Sequence, residues 1–472
     1  MYKKLTREEK YTYMSDRRRV LTNSEILNII SEGGGRVHFI GVGGVSMCSL
    51  FCLSRHFGIS ASGSDRTNGV FTRALIASGE DIAIGERSEL SEDTVLVVYS
   101  HAIRDSHPER CFARERGISE VSRAEYLGAL MQCYERRIGI SGSHGKSTVT
   151  AMIAKIFTDA ALSPTVLSGA KLFGSELPFS IGSLDYLIYE GCEYRDSFLS
   201  FSPTVSVFLN MELDHTDYFK DMDSLSKSFL SAMRLADRLI VNSDDGRLLS
   251  LAKASGKEFI TYGRGKEADY RYEVISERAG AMRFSLYRKG DLLGEVSLPM
   301  LGSFNIANAT AAISAAMELS VDFCEAAHSL SSFSGIERRL ERIGEYKGRA
   351  LYYDYAHHPS EIKASVLAIK GIENQRITVI FRPHTYSRTK GLWDSFTLAL
   401  RSADYAVILD IDGVREEKLD GITAQALALA SGALYCHGVE EIAEILDRTE
   451  GDIVLMGAAD VEDIKKYLTN VN

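Results

Sequence analysis

Short apolar runs rich in β-branched residues alternate with helical stretches along the whole chain, and this alternation narrows the fold more than any other feature. Runs at 37–42, 94–100, 137–141, 186–190, 205–210, 238–241, 350–355, 377–381, 405–410 and 453–456 read as strands. Strands separated by helix-length segments are joined by crossovers into parallel sheets, so the chain is expected to be α/β. Residues 268–297 depart from the rule. Tyr270, Tyr272 and Val274, then Met282, Phe284 and Leu286, alternate with other residues and predict an inserted hairpin.

A chain of 472 residues suggests three domains at roughly 150 residues each. Seams are expected just before Arg136 and near Gly335, giving domains 1–135, 136–335 and 336–472. The net charge of −10 speaks against a broad nucleic-acid or anionic-membrane surface, but leaves room for a local basic pocket. The 7 cysteines are scattered and form no C-x-x-C, which argues against a zinc site and for free thiols in a reducing compartment. Met1 to Val20 is charged and lacks the apolar core of a signal peptide. No uncharged apolar run reaches the ~18 residues of a membrane span. A cytoplasmic protein is expected, with no membrane or nucleic-acid partner.

Gly142-Ser143-His144-Gly145-Lys146-Ser147-Thr148 directly follows an apolar strand and opens a helix. In that context backbone N–H groups cradle phosphates, the Lys146 ammonium reaches the β/γ-phosphates, and the Ser147 hydroxyl can ligate Mg²⁺. A nucleoside-triphosphate site is the expectation. Gly41, Gly43 and Gly44 form a second loop after the first strand, with Asp65, preceded by Ser64, at about the 20-residue offset of a ribose-binding acid. Ser46 stands where a third glycine is usual. This loop alone suits the pyrophosphate of a nucleotide sugar or of NAD.

The G-x-x-G-K-S/T loop resembles the shortened phosphate loop of the Mur ligases, the ATP-dependent amino-acid ligases of peptidoglycan synthesis. Other segments follow the family pattern in order. They include the opening His38–Met47, Ser100-His101-Ala102-Ile103, Val121-Ser122-Arg123-Ala124-Glu125 and the G-x-F-N-x-x-N segment with Asn305. Gly335-Ile336-Glu337-Arg338-Arg339, Asp354-Tyr355-Ala356-His357-His358-Pro359-Ser360-Glu361 and Phe381–Thr389, which contains Arg388, complete the pattern. The resemblance implies a Rossmann-like N-terminal domain, a central ATPase-type domain built around the phosphate loop, and a Rossmann-like C-terminal domain.

It further implies that Gly41, Gly43, Gly44, Ser64, Asp65, Ser100, Ser122 and Arg123 bind a UDP-sugar. ATP would meet residues 142–148, Asn305, Arg339 and Asp354, and Mg²⁺ would be held by Ser147, Glu190 and His215. Lys146, His357, His358 and Arg388 would be catalytic. The implied reaction joins L-alanine to the lactyl carboxylate of UDP-N-acetylmuramate through an acyl phosphate, in a monomer or weak homodimer. A ligase that recycles a preformed tripeptide shares most of these motifs. An NAD(P)-dependent oxidoreductase explains only the first loop. Ser46, Gly457-Ala458-Ala459-Asp460 and the loose match around Arg415 depart from the pattern and suggest a non-catalytic homologue as a further reading.

Overall fold

The computed structural model describes residues 20–32, 34–85, 87–172, 177–278, 280–371, 376–413, 416–458 and 461–470. The N-terminal stretch to residue 19, Arg415, and Ala459 with Asp460 therefore lie outside the described residues. The chain forms two compact units, Met1–Cys133 and Tyr134–Asn472. No helix among the described residues is long and apolar enough to cross a membrane.

The first unit holds five parallel strands: β1 (Arg36–Ile40), β2 (Ala61–Asp65), β3 (Asp81–Ile84), β4 (Thr94–Tyr99) and β5 (Ser119–Ser122). Their order is β3-β2-β1-β4-β5. A strand covered on both faces reads as a nearly continuous apolar run, as β4 does. β2, Ala-Ser-Gly-Ser-Asp, carries no such run and is a strand only because β1 and β3 pair with it on either side. Phe39 packs edge-on against Phe51 and Tyr126, at ring-centroid distances of 5.4 and 5.6 Å, and so joins the sheet to its helices.

The second unit carries two sheets. The larger contains β6 (Arg136–Ser141), β7 (Thr165–Leu167), β8 (Phe179–Ser180), β9 (Tyr186–Gly191), β10 (Val205–Phe208), β11 (Arg238–Asn242) and β12 (Glu258–Gly263). It continues through β13 (Tyr270–Arg278), β14 (Ala281–Arg288) and β15 (Asp291–Leu298). The order is β15-β14-β13-β12-β11-β10-β6-β9-β7-β8, which puts β6, the strand before the phosphate loop, between β10 and β9. The expected hairpin is in fact a three-stranded antiparallel meander, and β13 joins it to the parallel strands through β12. Its apolar positions, Tyr270, Tyr272, Met282, Phe284, Leu286, Val296 and Leu298, enter one core with the helix Phe304–Glu318. Burial on a single face supplies the period-2 pattern that marked this segment.

The last sheet holds β16 (Glu341–Tyr346), β17 (Arg349–Asp354), β18 (Ile377–Phe381), β19 (Tyr405–Leu409), β20 (Leu434–Cys436) and β21 (Asp452–Met456). The order is β16-β17-β21-β18-β19-β20, parallel apart from the edge strand β16. Every run read as a strand from the sequence is a strand here, with ends differing by no more than a residue or two. The fold is the expected three-domain α/β architecture, with Rossmann-like first and last domains.

Candidate active site

The phosphate loop spans the end of β6 and the helix Lys146–Asp159. Gly145, at φ +85°, is left-handed, and a Cβ there would stand 2.9 Å from Asn308 Oδ1, so both backbone and space call for glycine. The residues after β10 hold the loop in shape. Asn210 Oδ1 accepts from His144 N at 2.8 Å, Asn210 Nδ2 donates to the His144 carbonyl at 3.0 Å, and Ser143 Oγ donates to the Glu212 carbonyl at 2.8 Å. Lys146 folds back over the loop, donating to the Gly142 carbonyl and meeting Glu193 Oε2 at 3.1 Å. Burial opposes its charge, yet Glu193 holds the ammonium well above its ordinary value.

A cavity of about 340 Å³ opens beside the loop. His144, Gly145, Thr148 and Asn305 line it from the central domain, and Arg339, Asp354, Ser360 and Glu361 line it from the C-terminal domain. Asn305 and Asn308 are linked by a 2.9 Å hydrogen bond, and Asn305 Nδ2 donates to the Leu301 carbonyl at 2.8 Å, which fixes the amide at the cavity wall. Arg339 lies over the Tyr355 ring, 5.1 Å from its centroid. Asp354 is buried, and burial raises its carboxyl to about 6 although Ser365 Oγ donates to it.

His144 joins the two domains. Its Nδ1 lies 3.0 Å from Glu361 Oε1 and its Nε2 lies 3.2 Å from Glu212 Oε2. Burial opposes the imidazolium, but Glu361 and Glu212 hold it up to about 9. The bond from His144 in turn holds Glu212 down to about 2. His358 caps the helix Pro359–Lys370, Glu361 completing the capping box, and burial and the nearby His144 push its imidazole down. Burial pushes His357 down to about 4, so it is neutral at pH 7 with Nδ1 3.0 Å from the Tyr355 carbonyl oxygen.

Arg388 makes the second link across the domains. Its Nε and Nη2 donate to the two oxygens of Asp214 at 2.9 and 3.1 Å, a bidentate pair with side chains 11% and 7% exposed. Burial works against a charge on Asp214, but Arg388 and His215 hold its carboxyl far below the usual range. His215 adopts φ +51°, uncommon for a non-glycine residue, and its ring lies 4.6 Å from that of Tyr194.

Of the trio read as metal ligands, Glu190 has partners away from His215. Glu190 Oε1 accepts from Ser168 Oγ at 3.1 Å and from Gly169 N at 2.5 Å, while its charge still acts on Lys146. Glu193, three residues later and 2% exposed, faces Lys146 and lies 3.9 Å from His215 Nε2. Glu190 is the last strand residue but one, whereas Glu193 lies past the strand end, where the chain bends toward the loop. Ser147 is buried in the first turn of the loop helix. Glu193, Glu212, Asp214 and Glu361 were thus missed as site residues. Glu361 lies within the quoted segment 354–361, and Glu193, Glu212 and Asp214 lie within three residues of Glu190 or His215, but an acidic residue carries no sign of which way it points.

In the first unit the order of strands reverses between β1 and β4, and ligands of such sheets bind beyond the strand ends at that point. The Gly41 loop follows β1 and Ser100 follows β4. Gly43 N donates to Asp65 Oδ2 at 2.9 Å while Asp65 Oδ1 accepts from Thr67 N at 2.9 Å, so one oxygen of this acid braces the glycine loop and the other its own turn after β2. A Cβ on Gly43 would stand 2.8 Å from Asp65 Oδ2. Gly44 caps the helix Val45–His56. Two expected sugar contacts have internal partners: Ser64 Oγ donates to buried Glu109 at 2.6 Å, and Ser122 forms a capping box with Glu125 ahead of the helix that Arg123 begins.

Comparison with known proteins agrees with this layout. The family profile described as "Mur ligase family, catalytic domain" matches residues 36–135, "Mur ligase middle domain" matches 140–316, and "Mur ligase, glutamate ligase domain" matches 338–459. The chain is 38% identical over 445 residues to a UDP-N-acetylmuramate–L-alanine ligase of Clostridium novyi, covering 92% of this chain and 97% of the relative. It is 37% identical to the protein of that name from Caldicellulosiruptor bescii, covering 90% and 96%. Among solved structures, the UDP-N-acetylmuramate–alanine ligase of Thermotoga maritima superposes with a TM-score of 0.77 at 24% identity, covering 92% of this chain and 98% of that one. A murein peptide ligase of Psychrobacter arcticus gives 0.71 at 22% identity, covering 93% and 99%. With its loops, its cavity and its three domains accounted for in order, the chain belongs to the Mur ligase family.

Proposed function

We infer that this chain is an ATP-dependent ligase that joins L-alanine to the lactyl carboxylate of UDP-N-acetylmuramate in peptidoglycan precursor synthesis, in the cytoplasm. One observation carries the reading: a single cavity brings the phosphate loop of the central domain together with Asp354 and Glu361 of the C-terminal domain. The relatives named above, alike over nearly the whole chain, support the choice of substrates.

A carboxylate is a poor electrophile, and phosphorylation gives it a leaving group. Transfer of the γ-phosphoryl group of ATP yields an acyl phosphate and ADP. The amine of alanine then attacks the acyl carbon, and the tetrahedral intermediate collapses to an amide and phosphate. Such transfer depends mainly on positioning and charge stabilisation. Lys146 brings a fixed positive charge to the β/γ-phosphates, and the loop amides and the helix N-terminus add donors. Asn305 and Asp354 orient the nucleoside in the cavity, with Arg339 beside them. His357 presents its unprotonated Nε2 as an acceptor for the incoming amine. Arg388, anchored on Asp214, places its guanidinium where the C-terminal domain meets the loop.

Ser147, Glu193 and His215 would hold Mg²⁺. The hydroxyl and the buried carboxylate beside the loop supply oxygen ligands of the kind that ion prefers, with the imidazole beside them, and Lys146 now partners the carboxylate. When bound, the ion neutralises phosphate charge. The Gly41 loop, with Ser100 after β4 and Arg123 after β5, takes the UDP-sugar. The oxidoreductase reading is not favoured, because Mur ligase profiles match all three parts of the chain in order.

The test is phosphate release with UDP-N-acetylmuramate, MgATP and a panel of amino acids, with the tripeptide included. Release with L-alanine above all others is expected. Release with the tripeptide alone would assign the chain to recycling, and none with any acceptor would overturn the ligase reading.

A further inference from the structure

Three donor atoms from three chain segments converge at the edge of the cavity. His144 Nε2 lies 3.2 Å from Glu212 Oε2, and that oxygen lies 3.5 Å from His358 Nδ1. The ligand atoms of the trio all fall within 4.8 Å of one another. Four-coordinate zinc, with bonds of about 2.0–2.1 Å, sets its ligands about 3.3 Å apart. Two edges of the triangle already have nearly that length.

The surroundings position these atoms, and an ion binding there displaces the proton that Glu361 and Glu212 favour on His144. Glu361 Oε1, 3.0 Å from His144 Nδ1, fixes that ring by its far nitrogen and turns Nε2 toward the other donors. Carboxylate–histidine pairs play this part at metal centres. His358 Nε2 is buried with no hydrogen-bond partner among the described residues, so Nδ1 is the atom that ring offers. The point of convergence is occupied by one hydroxyl. Ser360 Oγ lies 2.6 Å from Glu212 Oε2, 2.7 Å from His358 Nδ1 and 3.1 Å from His144 Nε2. A hydroxyl has one proton to share among such neighbours, whereas a cation attracts every donor lone pair at once.

We propose that His144, Glu212 and His358 form a binding site for a borderline divalent cation of the zinc class, separate from the Mg²⁺ site formed by Ser147, Glu193 and His215. Two imidazoles and one carboxylate favour zinc, nickel or copper over magnesium, which prefers oxygen ligands. The cysteine pattern could not reveal this site, because no cysteine takes part. An ion here fastens the phosphate loop to the helix Pro359–Lys370. The proposal rests on the donor geometry and not on the choice of substrates.

Cobalt(II) titration of the full chain, followed by visible absorption, tests it. One equivalent should give the intense band of four-coordinate cobalt, and zinc should displace it. Glu361→Gln should weaken binding by about 10- to 100-fold, and Glu212→Gln and His358→Ala by more. His215→Ala should leave the band intact, as should Ser360→Ala, which keeps all three ligands. Circular dichroism of each variant should match the parent. The proposal is overturned by a parent without the band, by a band that survives both Glu212→Gln and His358→Ala, or by a band lost in His215→Ala.

Discussion

Replacing Asp354 with asparagine should make the protein more stable at neutral pH and a poorer nucleotide binder. Asp354 ends β17 with 4% of its surface exposed, and burial raises its carboxyl from 3.8 to about 6. The Ser365 hydrogen bond and the Arg339 charge pull the other way, and Glu361 adds to the rise. Because the folded form holds the proton more tightly, the unfolded chain releases it first as pH rises. Stability therefore falls between about pH 4 and about pH 6 and stays reduced above that window. A shift of about 2 units at 1.36 kcal/mol per unit corresponds to about 3 kcal/mol. Asparagine does not ionise and escapes this cost, while its amide oxygen still accepts from Ser365. Urea unfolding of the parent and Asp354→Asn should show little difference near about pH 4 and a gain of about 3 kcal/mol near about pH 7.5. ATP affinity should drop by about 10-fold or more, as expected when a charged acceptor is lost. A stability difference that is the same at both pH values would refute the argument, because only ionisation can make it vary.

Lys146→Ala should lower ADP formation by about 10²–10³-fold or more and leave UDP-sugar binding nearly unchanged; activity near the parent level would remove the phosphate-loop assignment. Arg388→Ala strands the buried Asp214 carboxylate and should cost about 3–5 kcal/mol in thermal melts, much of it recovered by adding Asp214→Asn. If the double variant melts no higher than the single one, the bidentate pair is not what stabilises that junction. Gly43→Ala puts a Cβ 2.8 Å from Asp65 Oδ2 and should weaken UDP-N-acetylmuramate binding at least about tenfold by calorimetry, with ATP binding retained. Equal loss of both ligands would point to unfolding rather than to the loop.

The strands of the last sheet were legible because both faces of a parallel sheet are buried, and Ile377–Phe381 and Asp452–Met456 are buried at every position. β2 was not, because a strand of small and polar residues owes its state to the neighbours that pair with it. The meander β13–β15 was recognised as β from its alternation, but the third strand, Asp291–Leu298, has an exposed leucine, Leu292, and a glycine that blur the period.

For the site, the sequence alone determined the phosphate loop, since Gly145 and Lys146 act through backbone geometry and a charge fixed by local spacing. It also determined the order of the three domains, which motif order along the chain carries. Only the tertiary structure decided which carboxylates serve the site. Glu190 and Glu193 are three residues apart, and a turn after β9 sends one to Gly169 and the other to Lys146. The pairing of Arg388 with Asp214, and the meeting of His144 with Glu212, His358 and Glu361, join residues up to 217 positions apart. No local pattern encodes such contacts, because side-chain direction and long-range neighbours are fixed only when the sheets pack.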